Sequence, residues 1–298
     1  MADTAAQSLD DYTFEYKGFN FPKDEITPEC IDSLEDFEIR DSDVFIVTYP
    51  KSSTVWTQQI LTLIYAEEDA DAAEFKTTYE RAPWLEFQEK GQDYNARPSP
   101  RLFASHLPYY LVPKSLRNKK AKVIYILRNP KDAMVSYFHF HNIMVKMEKT
   151  KDFSSFMDRY VNGKVMCSSW FDHIKGWYSH RDQFEMLFMT YEEMIKDLRA
   201  AVLKICTFLG KRLEDSAIDK IVKQATFKNM KNDPRATYEF LPEDVMHKDR
   251  GRFLRKGTIG DWKNTFTVAQ SEFFDKVFQQ KMKDLPLKFI WDINEDAA

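Results

Sequence analysis

An α/β fold, with one central parallel sheet flanked by helices, follows from three features of the sequence. Short runs of β-forming apolar residues alternate with longer stretches whose apolar residues recur at helical spacing, as in strand–helix–strand units. The strand-like runs are apolar at nearly every position, as expected of strands buried on both faces. No Pro-, Gly- or Ser-rich linker interrupts the 298 residues, so a single domain spans 1–298, with a less regular segment over about 1–34.

The elements read in order. Asp43–Tyr49 (DVFIVTY) is a buried strand closed by Pro50. Thr54–Glu67 carries apolar residues at 56, 60, 61 and 64, a helical spacing, with Ser53 or Thr54 available as its cap. Arg101–Ser105 and Lys122–Leu127 read as the second and third strands, and Asn129-Pro130 closes the latter. A helix over Lys131–Met144 and helical patterns at Ser154–Lys175 follow. Phe184–Tyr191 is another strand and Glu192–Leu209 another helix. The pattern loses regularity over Asn232–Gly260, a long loop of the kind that carries function. A last helix over Val268–Met282 precedes the apolar Leu287–Ile293.

Composition narrows the function. The net charge of −4 supplies no global field for nucleic acid, so any phosphate site is local. The acidic Met1–Phe14 has no apolar core of a signal peptide, and the longest apolar stretches, such as Ile60–Ala66, are too short to span a bilayer. Cys30, Cys167 and Cys206 form neither a metal pattern nor a disulfide framework, which points to reduced thiols and a cytoplasmic setting. His139 and His141 lie two apart on a helix, face different ways and cannot share a metal, so no metal is expected. The surplus of aromatics (24 Phe, 14 Tyr, 6 Trp) fills a core and suits an apolar ligand pocket.

In an open parallel sheet, ligands gather outside the carboxyl ends of the strands, which directs attention to 50–54, 105–108 and 128–130. Tyr49-Pro50-Lys51-Ser52-Ser53-Thr54-Val55-Trp56 joins a strand to a helix. Free N–H groups at the helix start, three hydroxyls and Lys51 make an anion cradle. The segment lacks the G-x-x-x-x-G-K-[ST] pattern of nucleotide-triphosphate loops, which weighs against a nucleotide kinase. Taken alone it reads equally well as an ordinary capped helix with an exposed lysine. Arg128 ends a strand, where it can fork onto a phosphate shared with Ser136 or simply pair with Asp132. Arg250–Gly257 is a basic run that by itself could be a solvated face, and His106 by itself could be structural.

Together these segments resemble the cytosolic sulfotransferases, and the resemblance runs roughly from residue 35 to 293. Tyr49–Trp56 is similar to the family's Y-P-K-S-G-T-x-W loop, with Ser53 at the glycine. Arg128-Asn129-Pro130-Lys131-Asp132 with Ser136, Arg255-Lys256-Gly257 with Gly260-Asp261-Trp262, and Ala225–Met230 resemble its other donor segments. The resemblance implies transfer of a sulfuryl group from 3′-phosphoadenosine 5′-phosphosulfate (PAPS) to a small acceptor by in-line attack. It implies that Lys51, Ser52, Ser53, Thr54, Val55 and Trp56 hold the phosphosulfate and one side of the adenine. Arg128, Ser136, Arg255, Lys256 and Gly257 would hold the 3′-phosphate, with Tyr191, Ala225, Thr226, Phe227, Met230, Phe253 and Leu254 completing the donor site. His106, in Ser105-His106-Leu107-Pro108, takes the place of the catalytic base, and Lys51 that of the group stabilising the leaving oxygen. Phenol-type members carry Lys-Thr before this histidine; here Ala104-Ser105 stand there.

Trp84, Phe87 and Phe140 match acceptor-pocket positions, although each also reads as core. Lys263, Thr267, Val268 and Glu272 match a homodimer segment. Ser105–Pro113, Trp56–Leu61 and Pro286–Asn294 look closest to the amine sulfotransferase branch, which implies amine or hydroxyl acceptors. A donor-binding protein with little turnover is the competing expectation.

Overall fold

The computed structural model describes residues 7–8, 11–67, 77–88 and 92–295. Its first described elements lie within the segment up to residue 35. They are β1 (Gln7–Ser8), β2 (Thr13–Tyr16) and β3 (Phe19–Pro22), paired as an antiparallel sheet, and α1 (Pro28–Glu35). These strands are too short for periodicity to declare them. Phe14, Phe19 and Phe21 are buried in the main core, so this layer owes its order to tertiary packing.

The central sheet comprises β4 (Val44–Thr48), β5 (Leu102–Ser105), β6 (Lys122–Leu127) and β7 (Glu185–Thr190), all parallel, in the order β5-β4-β6-β7. Period-two alternation divides its two faces. Phe45, Val47, Phe103, Val123 and Tyr125 enter one core; Val44, Ile46, Leu102, Ile124 and Ile126 enter the other. At the amino ends, buried Arg101 donates to both carboxylate oxygens of buried Asp43, 2.9 and 2.5 Å away, and a further guanidinium N–H reaches the Glu38 carbonyl at 2.7 Å. That pair is satisfied on all sides, as a buried ion pair must be.

Helices cover both faces. The helices α2 (Thr54–Ala66), α8 (Leu198–Leu209) and α9 (Asp215–Gln224) pack on the second core. The first core meets α4 (Pro130–Ile143), α5 (Phe153–Val161), α6 (Trp170–Ser179) and α11 (Val268–Met282). Short α3 (Thr78–Arg81), α7 (Tyr191–Lys196) and α10 (Phe227–Asn232) serve the loops.

Two expected helical stretches are interrupted. Ser154–Lys175 divides between α5 and α6, because Gly163, Cys167 and Ser168 all adopt positive φ between them. Glu192–Leu209 divides at Asp197, whose carboxylate accepts the Ala200 N–H and caps α8. The apolar Leu287–Ile293 forms no regular element. Its Phe289 and Trp291 rings pack edge-on against Phe278.

Strand order reverses around β4: β5 lies on one side of it and β6 on the other. The crevice at such a switch point opens between the carboxyl ends of β4 and β6, where Lys51 and Arg128 emerge.

Candidate active site

One cavity of about 330 Å³ occupies that crevice. Every donor and acceptor residue expected from the sequence lines it except Ser52, Ala225 and Thr226. Those three act from just behind the wall. Ser52 is buried, and its hydroxyl has no hydrogen-bond partner. The Ala225 carbonyl accepts the Trp56 indole N–H at 2.7 Å, fixing that ring. Thr226 caps α10 by accepting the Asn229 N–H.

The loop from β4 to α2 is a strained turn. Lys51 has φ +66°, and Ser53, the N-cap of α2, has φ +84° and ψ +17°. Both are left-handed conformations that favour glycine, which accounts for the glycine of the similar family loop at position 53. Ser53 was expected as a possible cap, but in this conformation its side chain makes no capping bond. The first N–H groups of α2 are therefore left uncapped by that hydroxyl, in residues that line the crevice.

Two segments bring cations to the loop. The Arg128 guanidinium donates to the Lys51 carbonyl at 2.8 Å and lies 4.1 Å over the Tyr191 ring, with its Nε buried and unpartnered. Arg255 pairs with Asp261 at 2.6 Å and also keeps a buried, unpartnered Nε. Asp132 ties these segments together. Its carboxylate accepts the N–H groups of Gly260 at 2.7 Å and Trp262 at 2.9 Å, and the Asn129 amide at 2.9 Å. The alternative of an Arg128–Asp132 pair is thus not taken up: Asp132 instead braces the Arg128 segment against the 255–262 loop.

Gly257 completes the cradle at φ +67°; a Cβ there would stand 2.4 Å from the Phe227 ring. Lys51 is held between the rings of Phe140 and Phe253, with Nζ 4.2 and 4.4 Å from their centroids. Burial, with help from Arg128 and Arg255, lowers its pKa to about 7. Unpaired buried donors, a lysine poised to take up a proton and a steric cradle are the features of a pocket shaped for a polyanion.

His106 follows β5. Its Nδ1 lies 2.6 Å from the Thr48 carbonyl, which can only accept, so Nδ1 carries the proton and Nε2 the lone pair. The backbone frames it further: its N–H donates to Glu86 Oε1 at 2.6 Å, and its carbonyl accepts from His173 Nε2 at 3.0 Å. The Trp84 ring lies 4.5 Å from the imidazole, and the Trp84 indole donates to Tyr238 OH at 2.9 Å. Burial dominates the electrostatics, lowering His106 to about 3 and raising Glu86 to about 7.

Sequence reading missed Thr48, Glu86 and Tyr238. The first two sit in apolar strand-like context, and Tyr238 in a loop without periodicity. That loop is ordered against α4: the Val145 N–H meets the Val245 carbonyl at 2.9 Å, and the His247 N–H the Ile143 carbonyl at 2.7 Å. Lys263 pairs with Asp292, Thr267 caps α11, and Glu272 is exposed, so the four dimer-segment residues do not converge on the cavity.

Comparisons with known proteins agree with this geometry. Residues 41–286 match the sulfotransferase domain family. The chain is 54% identical to the amine sulfotransferase of Oryctolagus cuniculus, over 96% of each protein. It is 42% identical to Sulfotransferase 2A1 of Homo sapiens, over 95% of this chain and 99% of that one. Among solved structures, mouse sulfotransferase SULT7A1 complexed with PAP superposes with a TM-score of 0.78 at 32% identity, covering 92% and 95% of the two chains. The chain therefore belongs to the sulfotransferase family, in the branch of the rabbit amine sulfotransferase.

Proposed function

We propose that this protein transfers a sulfuryl group from PAPS to the amine or hydroxyl of a small aromatic or apolar acceptor, with His106 as general base. The observation that carries the reading is one cavity that joins the unsatisfied donors of Arg128 and Arg255 to a histidine whose proton resides on Nδ1. When bound, the donor supplies a sulfur centre whose bond to the bridging phosphate oxygen breaks as the acceptor's N–S or O–S bond forms.

The side chains act around that exchange. Arg128, Arg255, Lys256 and Ser136 take the 3′-phosphate, while the N–H groups of the 51–56 loop and the Ser52 hydroxyl take the 5′-phosphosulfate. Trp56 and Phe253 enclose the base. His106 Nε2 accepts the proton that the acceptor loses, and the Thr48 carbonyl supports the imidazolium through Nδ1. Lys51 offers its ammonium to the charge that develops on the leaving oxygen. Trp84, Phe87 and Phe140 form the apolar acceptor wall.

The dimer belongs to the same reading. Val268, at the start of α11, is 76% exposed, an apolar side chain that suits a small contact with a second copy formed together with Lys263, Thr267 and Glu272. No described helix is long and apolar enough to cross a membrane, and a cytoplasmic setting fits three cysteines that form no disulfide among the described residues.

His106→Ala tests the catalytic assignment. Transfer is expected to fall by roughly 10²–10⁴-fold, with binding of the product nucleotide kept within about threefold. Retained transfer, or lost nucleotide binding, would remove His106 from the role of base.

A further inference from the structure

The cavity is asymmetric in charge. Its donor end gathers Lys51, Arg128, Arg255 and Lys256. Its acceptor end is built from aromatic and thioether groups: Trp84, Phe87, Phe140, Met144, Met147 and Met166. Among the described residues lining it there is one carboxylate, Glu25, from the turn between β3 and α1. Glu25 is exposed overall, so it stands at a rim, and it makes no hydrogen bond or ion pair with the other described residues. Enough protein surrounds its carboxyl for desolvation to raise its pKa, with Lys146 acting in the opposite direction and Asp24 adding to the rise.

We infer that Glu25 is a specificity-determining residue: it selects acceptors that carry a cationic group on the end remote from the attacked amine or hydroxyl. This rests on the sulfotransferase reading above and names the acceptor class of that same site. An acceptor lying in the apolar wall presents one end to His106. A positive charge at that end would meet the four cations of the donor site, and a protonated amine cannot act as nucleophile. A cationic tail directed away from them meets the one carboxylate lining the cavity among the described residues. The tail orients the molecule as well as adding affinity, since its reversed pose sets like charges together. Lys146 shares this wall on a long flexible stem and opposes the effect. Its removal therefore strengthens the preference for cations, whereas removal of Glu25 abolishes it.

The test uses the full chain with PAPS and phenols bearing ω-ammonium tails of graded length, each matched to its neutral ω-hydroxy isostere. The quantity read is the ratio of kcat/KM for the charged over the neutral member at the best tail length. Glu25→Gln is expected to lower that ratio about fivefold, and Lys146→Ala to raise it. A fall of threefold or more with Glu25→Gln supports the inference; any smaller change overturns it. Both substitutions lie at exposed positions, and calorimetric titration of the two tail types gives the same ratio from binding alone. If the unaltered protein sulfates no phenol of the series, transfer to phenols fails, while the binding ratio still decides the role of Glu25.

Discussion

Ser53→Gly isolates the strain in the anion loop. Ser53 sits at φ +84°, ψ +17°, where a side chain costs roughly 1–2 kcal/mol relative to glycine. Little offsets that cost locally. The hydroxyl makes no capping bond, and its one contact is Met194 Sδ at 3.9 Å, a weak interaction. Glycine in turn gives the unfolded chain freedom worth about 0.4–1 kcal/mol. The net expectation is a folded state more stable by about 0.5–1 kcal/mol, which in a chain of this length raises the thermal midpoint by about 1–3 °C. The assay is thermal unfolding of the two proteins side by side, with calorimetric titration of the product nucleotide. Nucleotide affinity should be equal or tighter, because the loop then reaches the same conformation without strain. A midpoint lowered by 2 °C or more, or an affinity weakened tenfold, would refute the reasoning and show that the hydroxyl itself holds the loop.

Three further outcomes follow from the site. Lys51 has a pKa of about 7 without donor, and an anion beside it raises that value, so the complex binds more protons than the free protein. Nucleotide affinity should therefore weaken as pH rises above about 7, by up to about tenfold per unit, and Lys51→Met should flatten the profile read by calorimetry. Gly257→Ala places a Cβ 2.4 Å from Phe227, a contact neither group can accept in place. Nucleotide binding should weaken by an order of magnitude or more, and Phe227→Ala in the same chain should restore part of it. Val268→Glu sets a charge at the exposed start of α11, and light scattering should find monomer where the unaltered chain gives dimer.

Much of this was legible in the sequence because the relevant features are local. The apolar runs of β4 and β6 are buried on both faces, so their composition alone declares them. The strand-to-helix loop at 49–56 and the cluster at 255–262 carry dense side-chain chemistry within a few residues. What escaped depends on long-range contact. The antiparallel strands before residue 23 are ordered by packing on the main core. The breaks at 163–168 and at Asp197 are set by backbone conformations that helical periodicity does not register. Thr48 serves His106 from 58 positions away, and its role lies in its carbonyl, which no side-chain pattern encodes. Glu25 and Lys146 look like ordinary surface charges until the fold sets them on one wall.

The most direct measurement is transfer of labelled sulfate from PAPS to a panel of amines, phenols and alcohols in metal-free buffer. The expected result is labelled acceptor formed by the unaltered chain and about 10²–10⁴-fold less by His106→Ala. Failure of the unaltered chain to bind the nucleotide or to label any acceptor would contradict the assignment of this cavity as a sulfuryl-transfer site.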